Sequence, residues 1–219
     1  MTIHLLNCFT CNARIPRTMK TGMVCLVIET DQGLVLVDTG LGLQDYSHPT
    51  WFTQFFRIIT IMPFDPNEAA VNRIKQLGFK PEDVKHILLT HMHFDHCSGL
   101  SDFPHAKVHV HKLEHDAFTD GKILHFDEFA YIQRYIAHKP DFVLYEKIDS
   151  KWYDFDAIRL PFEPEMYFIP LFGHSRGQCG VAIKTSSGWL FHAADAGAGS
   201  RCQPPRHGQQ LLLFPAVRV

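Results

Sequence analysis

This chain has no run of about 18 consecutive apolar residues, so no segment reads as a membrane-spanning helix. Its start, Met1-Thr2-Ile3-His4, lacks the basic opening and long apolar core of an export signal. A cytoplasmic location is therefore the expectation. Excess charge of one sign is scarce too: 21 Lys and Arg against 23 Asp and Glu leave a net charge of −2. So small a balance gives neither a nucleic acid nor an anionic membrane a handle. Cysteine is sparse, six in 219 residues. That does not suggest a disulfide framework in a chain of this length without an export signal. Cys8 and Cys11 make one Cys-x-x-Cys with only His4 nearby, so a reduced structural pair is expected rather than a zinc knuckle. Cys97 and Cys179 read as small, partly buried fillers. A hydrophobic content of 46% and a charged content of 20% are ordinary for one globular domain with a sizeable core.

Histidine is what the chain has in plenty, with 15 residues. Four good metal ligands fall within His91-Met92-His93-Phe94-Asp95-His96. Given 15 His and 15 Asp in 219 residues, a chance match to that pattern is expected about 0.005 times. Val84 to Thr90 ahead of it reads as a buried strand and Cys97-Ser98-Gly99 behind it as a turn, which puts the cluster at the carboxyl end of a core strand. In extended chain His91 and His93 point the same way and can share one ion. Asp95 and His96 follow after the chain turns and can face a second. Imidazole nitrogen and carboxylate oxygen both suit zinc.

The pattern resembles the His-x-His-x-Asp-His signature of the metallo-β-lactamase superfamily of hydrolases, in its lactonase and glyoxalase II-like branch, and the resemblance runs from about Cys25 to Asp195. It implies an α+β fold, the αββα four-layer sandwich, with a metal site at one edge. It also implies His174 as a third histidine, in the loop Gly173-His174-Ser175-Arg176-Gly177, and Asp195 as a bridging carboxylate at the end of Trp189-Leu190-Phe191-His192. The implied ligand set is His91, His93 and His174 for one zinc ion and Asp95, His96 and Asp195 for a second; iron or manganese in place of zinc stays open. Asp38, at the end of the hairpin formed by Met23–Thr30 and Leu34–Val37, is implied as a support behind the ligands. The implied reaction is attack of a metal-bridged hydroxide on an ester or lactone of the N-acyl homoserine type, with Asp95 orienting the nucleophile or moving its proton. A glyoxalase II-like thioester hydrolase is the alternative, because Ala196-Gly197 stand where lactonases of the family carry a tyrosine. A metal-binding domain without activity is the rival from outside enzymes.

The remaining stretches carry weaker signals. Residues 41–67 look irregular, with a dense aromatic segment from Trp51 to Ile59 that suits a hydrophobic lid, a homodimer face or core. Pro66-Asn67-Glu68 opens a helix with Ala70, Val71, Ile74 and Leu77 at helical spacing, stopped by Gly78. Val108 and Val110 alternate with His109 and His111, which predicts a half-exposed strand with both histidines facing solvent. Residues 113–139 look helical, amphipathic from Phe126 to His138. The family supplies one more histidine well beyond the bridging aspartate, yet here only His207 remains, in a loop context unlike a strand end. The expectation is a domain over residues 1–197 whose second half is incomplete, with an atypical, poorly packed tail over 198–219 and an exposed apolar run from Leu211 to Phe214.

Overall fold

The computed structural model describes residues 1–13, 19–122, 126–197 and 212–213. Two six-stranded sheets take up the strands in chain order. The first consists of β1 (Ile3–Ala13), β2 (Met19–Thr30), β3 (Gly33–Val37), β4 (Val84–Leu88), β5 (Lys107–His111) and β6 (Asp141–Tyr145). β1 to β3 are antiparallel, and β3 to β6 run parallel. The second contains β7 (Ser150–Trp152), β8 (Phe155–Leu160), β9 (Met166–Pro170), β10 (Cys179–Thr185), β11 (Gly188–His192) and β12 (Leu212–Leu213). It is antiparallel except that β12 pairs parallel to β11, Leu190 facing Leu212. Five α-helices are described: α1 (Leu43–Ser47), α2 (Trp51–Thr60), α3 (Ala70–Gln76), α4 (Phe94–Cys97) and α5 (Lys112–Asp120). None is long and apolar enough to cross a membrane.

The expected hairpin forms with Asp31-Gln32 between β2 and β3, and a second has Ser186-Ser187 between β10 and β11. Alternation along the strands then sorts the side chains into layers. Leu26, Ile28, Val35, Val37 and Leu88 of the first sheet meet Ile158, Leu160, Phe168, Val181 and Ile183 of the second. Each such buried side chain is worth about 1.5–3 kcal/mol over leaving it in water. The other face of the first sheet carries the larger core, where Cys25, Val27, Leu36 and Ile87 pack under Ile74 of α3 and Phe118 of α5. The outer face of the second sheet carries Trp152, Tyr167, Ala182 and Phe191. Two packed sheets with helices over the first make the expected α+β sandwich; among the described residues no α-helix follows β7. The expected boundary at residue 197 and the position of His207 lie outside the described residues. Of the run Leu211 to Phe214, only Leu212 and Leu213 are described, as β12.

Three expectations are corrected. The aromatic segment is a regular helix, α2, capped by the Thr50 hydroxyl, which accepts from Thr53 N–H at 3.0 Å. Its apolar side chains recur at helical spacing, on a stripe that begins at the inward face and continues out to the surface. Phe52 and Phe56 turn inward onto Phe94, ring centroids 5.2 and 5.0 Å away. Trp51, Phe55, Ile58 and Ile59 stay 72, 55, 73 and 52% exposed. The amphipathic helix expected from Phe126 to His138 is instead two short 3-10 stretches, Phe126–Ala130 and Gln133–Ile136. Tertiary partners override the period there. Arg134 reaches the buried Asp45 carboxylate at 2.7 Å, and the Tyr135 hydroxyl meets Thr53 at 3.3 Å.

His109 and His111 do not face solvent; both are buried. β5 lies between two parallel neighbours, and Phe162 from beyond β8 covers His109, so the strand is covered on both faces. His109 joins His86 at 3.0 Å and the Tyr145 hydroxyl at 2.9 Å. His111 accepts from Leu113 N–H at the start of α5. Burial first, then the neighbouring His86 and Lys107, push the His109 imidazole down to about 3. Its folded value lies below the unfolded one of about 6.5, so the stability it contributes is complete above that pH and is lost as pH falls toward 3. Urea unfolding is expected to show this part of the loss as about 2 kcal/mol between pH 7 and pH 5. His109→Gln, which cannot titrate, is expected to lose correspondingly less over that interval. Equal losses in the two proteins would refute the assignment.

Candidate metal centre

Four strand ends meet at one edge of the sandwich. β3 delivers Asp38-Thr39, β4 delivers Thr90 to His96, β9 leads into the loop of His174, and β11 ends three residues before Asp195. His93 starts α4, and its carbonyl accepts from His96 N–H at 2.9 Å and Cys97 N–H at 3.0 Å. That single turn carries Asp95 and His96 back beside His91 and His93. Cys97 and Cys179 are buried fillers as expected.

The donor atoms fall into two groups. One atom each of His91, His93 and His174 lie within 4.8 Å of one another, and so do those of His91, His96 and Asp195. His174 Nε2 stands 3.1 Å from His93 Nδ1. Nitrogens sharing a tetrahedral ion at about 2.0–2.1 Å stand roughly 3.3 Å apart. Asp195 lies between the groups, Oδ1 at 3.6 Å from His96 Nε2 and Oδ2 at 3.4 Å from His174 Nε2. Asp95 Oδ2 is 3.9 Å from His96 Nε2. His91 Nε2 and His96 Nε2 are buried and accept or donate no hydrogen bond, an arrangement costly to a protein unless something else satisfies them.

Asp38 stands behind this edge, wholly buried and in the left-handed region at φ 56°. Its Oδ1 accepts from Thr90 N–H at 2.8 Å, and its Oδ2 accepts from the Thr90 hydroxyl at 2.8 Å and from His96 Nδ1–H at 2.9 Å. Because the Thr90 proton goes to Asp38, the Thr90 oxygen is left to accept from His91 Nδ1–H, 3.1 Å away. Both imidazoles thus keep their Nδ1 proton and turn Nε2 toward the edge.

The charges follow. Burial, reinforced by the other histidines, holds His91 well below its usual value and His93 down to about 3. Burial opposes charge on His96 as well, but Asp38, Asp95 and Asp195 around it outweigh that and push it up. Burial raises Asp95. At Asp195 burial works upward too, yet His96, with His174 and His93, holds the carboxyl below the ordinary range.

Sequence reasoning missed three residues here. His192 is buried with both ring nitrogens unpartnered, Nε2 3.8 Å from Asp38 Oδ2; at the end of an apolar strand nothing singles it out. Tyr131 puts its ring 5.3 Å from that of His93 and lines a cavity of about 360 Å³ together with Trp51, Phe52, Phe118 and Phe129. Glu114 lies in α5 and is completely buried; a glutamate in the first turn of a helix reads as solvated.

Residues 22–191 match the model of the metallo-beta-lactamase superfamily. A probable metallo-hydrolase of Mycobacterium tuberculosis is 36% identical over 199 residues, 89% of this chain and 62% of that protein. An N-acyl homoserine lactonase of Bacillus thuringiensis is 28% identical over 174 residues, 78% of this chain and 62% of that protein. The chain thus spans 62% of the length of these curated relatives. Among solved structures, a probable metal-dependent hydrolase from Staphylococcus aureus superposes with a TM-score of 0.69 at 20% identity, covering 89% of this chain and 72% of that one. An N-acyl homoserine lactone hydrolase, with the product N-hexanoyl-L-homoserine bound at its catalytic metal centre, superposes with a TM-score of 0.63 at 20% identity, covering 86% and 73%. With the family pattern matched across well over half its length and its signature residues gathered at one sheet edge, the chain belongs to the metallo-β-lactamase superfamily.

Proposed function

We propose that this chain forms the metal-binding core of a hydrolase that opens small-molecule esters or lactones. The observation that carries the reading is the pair of donor groups sharing His91, with Asp195 between them and unpartnered buried nitrogens on His91 and His96. His91, His93 and His174 would hold one zinc ion; His96 and Asp195 would hold the second together with Asp95, which lies outside both donor groups with Oδ2 3.9 Å from His96 Nε2. The donor chemistry fits, since imidazole and carboxylate are zinc ligands and neutral imidazole is the binding form. When bound, such ions supply Lewis acidity and make water a nucleophile near neutral pH. His91 and His93, held neutral by burial, are ready to bind. His96 must first release its proton. Asp95, raised by burial, sits where it can accept and pass on a proton of the attacking water. The cavity beside Tyr131 suits the apolar part of a substrate. The Bacillus thuringiensis relative is a lactonase, and an acyl lactone has that shape. Thioester hydrolysis is the second reading, favoured by Ala196-Gly197 after Asp195.

The test is metal counting with a panel of lactones, thioesters, phosphodiesters and β-lactams on the metal-loaded chain. Two ions with lactone turnover are expected. During chelator titration the ion at Asp95, His96 and Asp195 is expected to leave first, because His96 must be deprotonated to bind it whereas His91 and His93 are already held neutral. Both ions leaving together, with His207→Ala losing one outright, would show that His207 is a ligand. One ion or none, without turnover on any substrate, would leave only a metal-binding fold.

A further inference from the structure

His93 and His174 are 81 residues apart in the chain, yet one ion would need their loops fixed to within a few tenths of an ångström. Main chain ties the loops through Cys179 N–H, which donates to the Thr90 carbonyl at 2.9 Å. A single side chain adds three more ties. Glu114 Oε1 accepts from Met92 N–H at 2.8 Å, and its Oε2 accepts from the Ser175 hydroxyl at 2.7 Å and from Gly177 N–H at 2.9 Å. Met92 lies between His91 and His93, and Ser175 follows His174. Each carboxylate oxygen therefore serves one histidine loop. The Tyr131 hydroxyl, donating to Oε1 at 3.0 Å, makes four donors, which fills the accepting capacity of a carboxylate. Hydrogen bonds to a buried charge are short and strong.

Gly177 shows how closely the loop is drawn in. A Cβ there would lie 2.2 Å from Glu114 N and 2.8 Å from Glu114 Cα. The backbone beyond His174 lies directly against the first turn of α5, and a side chain at 177 would push it away.

We propose that Glu114 is a positioning residue that sets the separation of the His91/His93 loop and the His174 loop, and so the fit of the three-histidine site to its ion. It hydrogen-bonds to neighbours of the ligands rather than to their imidazoles, so it acts through the backbone. The proposal rests on the metal-binding reading above. E114Q tests it. Glutamine keeps the oxygen that serves one loop but turns an N–H₂ toward donors of the other. Zinc affinity by chelator competition and the absorption spectrum of the Co(II)-loaded chain are the readouts, with far-UV circular dichroism to show folding. E114Q is expected to bind zinc about 10–100-fold more weakly at the three-histidine site and to shift the Co(II) bands. S175A, which removes one donor and leaves the carboxylate, is expected to weaken binding less but in the same direction; it decides the question if E114Q does not fold. Zinc affinity and Co(II) spectrum unchanged in the folded variants, whatever happens to Tm, would overturn the proposal, since that is what a role in stability alone predicts. A parent chain that binds no zinc would overturn the metal reading itself, and is read before any variant is made.

Discussion

Replacing His91 with alanine is expected to empty the metal centre and to lower turnover about a thousandfold or more. His91 is the one residue common to both donor groups, so its loss takes a ligand from one and a wall from the other. Lewis-acid stabilisation by a bound ion is worth several kcal/mol in the transition state, and each 1.36 kcal/mol is tenfold in rate. The fold is expected to survive, because the one side-chain hydrogen bond lost is that from His91 Nδ1–H to the Thr90 oxygen, and His91 Nε2 makes none. The check is metal per chain, kcat/KM, and Tm with and without zinc. The parent should gain Tm on adding zinc, by mass action on the folded state, and His91→Ala should not. Asp195→Ala is the graded comparison, expected to lose the second ion and most turnover while keeping the first. A His91→Ala protein that still holds two ions and turns over would sink the ligand assignment.

The second large effect is expected at Asp38. Asp38→Ala removes a buried charge that receives three hydrogen bonds, from Thr90 N–H, the Thr90 hydroxyl and His96 Nδ1–H. Breaking a buried charged pair from one side costs about 3–5 kcal/mol, and the left-handed backbone at φ 56° adds strain for alanine. Although burial raises the Asp38 carboxyl, the neighbouring His96 and His192 outweigh it, so its folded value lies below the unfolded one. Its contribution is therefore complete above the unfolded carboxylate range and is lost only as pH falls through the folded value, so the deficit of the variant is expected in full at pH 7. Asp38→Asn separates stability from ligand preparation. The amide fits the space, but its N–H₂ faces Thr90 and His96 where a carboxylate oxygen stood. A donor against His96 Nδ1 moves the remaining proton to Nε2, the atom turned toward the metal edge. Asp38→Asn is expected to cost less stability than alanine yet bind the second ion weakly. Urea unfolding at pH 7 and metal counting of both variants are the measurements. Full metal occupancy in Asp38→Asn would show that Asp38 acts on packing alone.

The residues that were legible in the sequence are those whose local context states their environment. His91 to His96 follow a β-branched strand, His174 sits between glycine-rich neighbours, and the hairpins announce themselves by Asp31-Gln32-Gly33 and Ser186-Ser187-Gly188. β2 to β5 and the β10–β11 hairpin could be read because β-branched or apolar runs and turn residues agree there, whereas β6, β7 and β8, short or half-exposed, went unread. What stayed hidden depends on partners distant in sequence. His109 looks solvent-facing until β4, β6 and Phe162 close around it. The 126–138 segment has a helical period, yet its Arg134 and Tyr135 are drawn to Asp45 and Thr53, more than 80 residues earlier. α2 carries a helical period too; the density of aromatic side chains, not a lack of period, makes the segment read as irregular. Glu114 gives no local sign of burial, since all four of its donors come from other segments.

Each sheet is assembled in chain order, residues 3–145 filling the first before any strand of the second begins. On a ribosome this makes the sandwich a vectorial construction. The first sheet can complete its pairing while the second is still unmade. Its inner face, with Leu26, Ile28, Val35, Val37 and Leu88, then waits in water. Synthesis proceeds at roughly 5–20 residues per second, so the stretch from β6 to the end of β11 takes about 2–10 seconds to appear. For that interval the nascent chain is half a sandwich with an open greasy side, and a chaperone that shields apolar strands has its natural moment there.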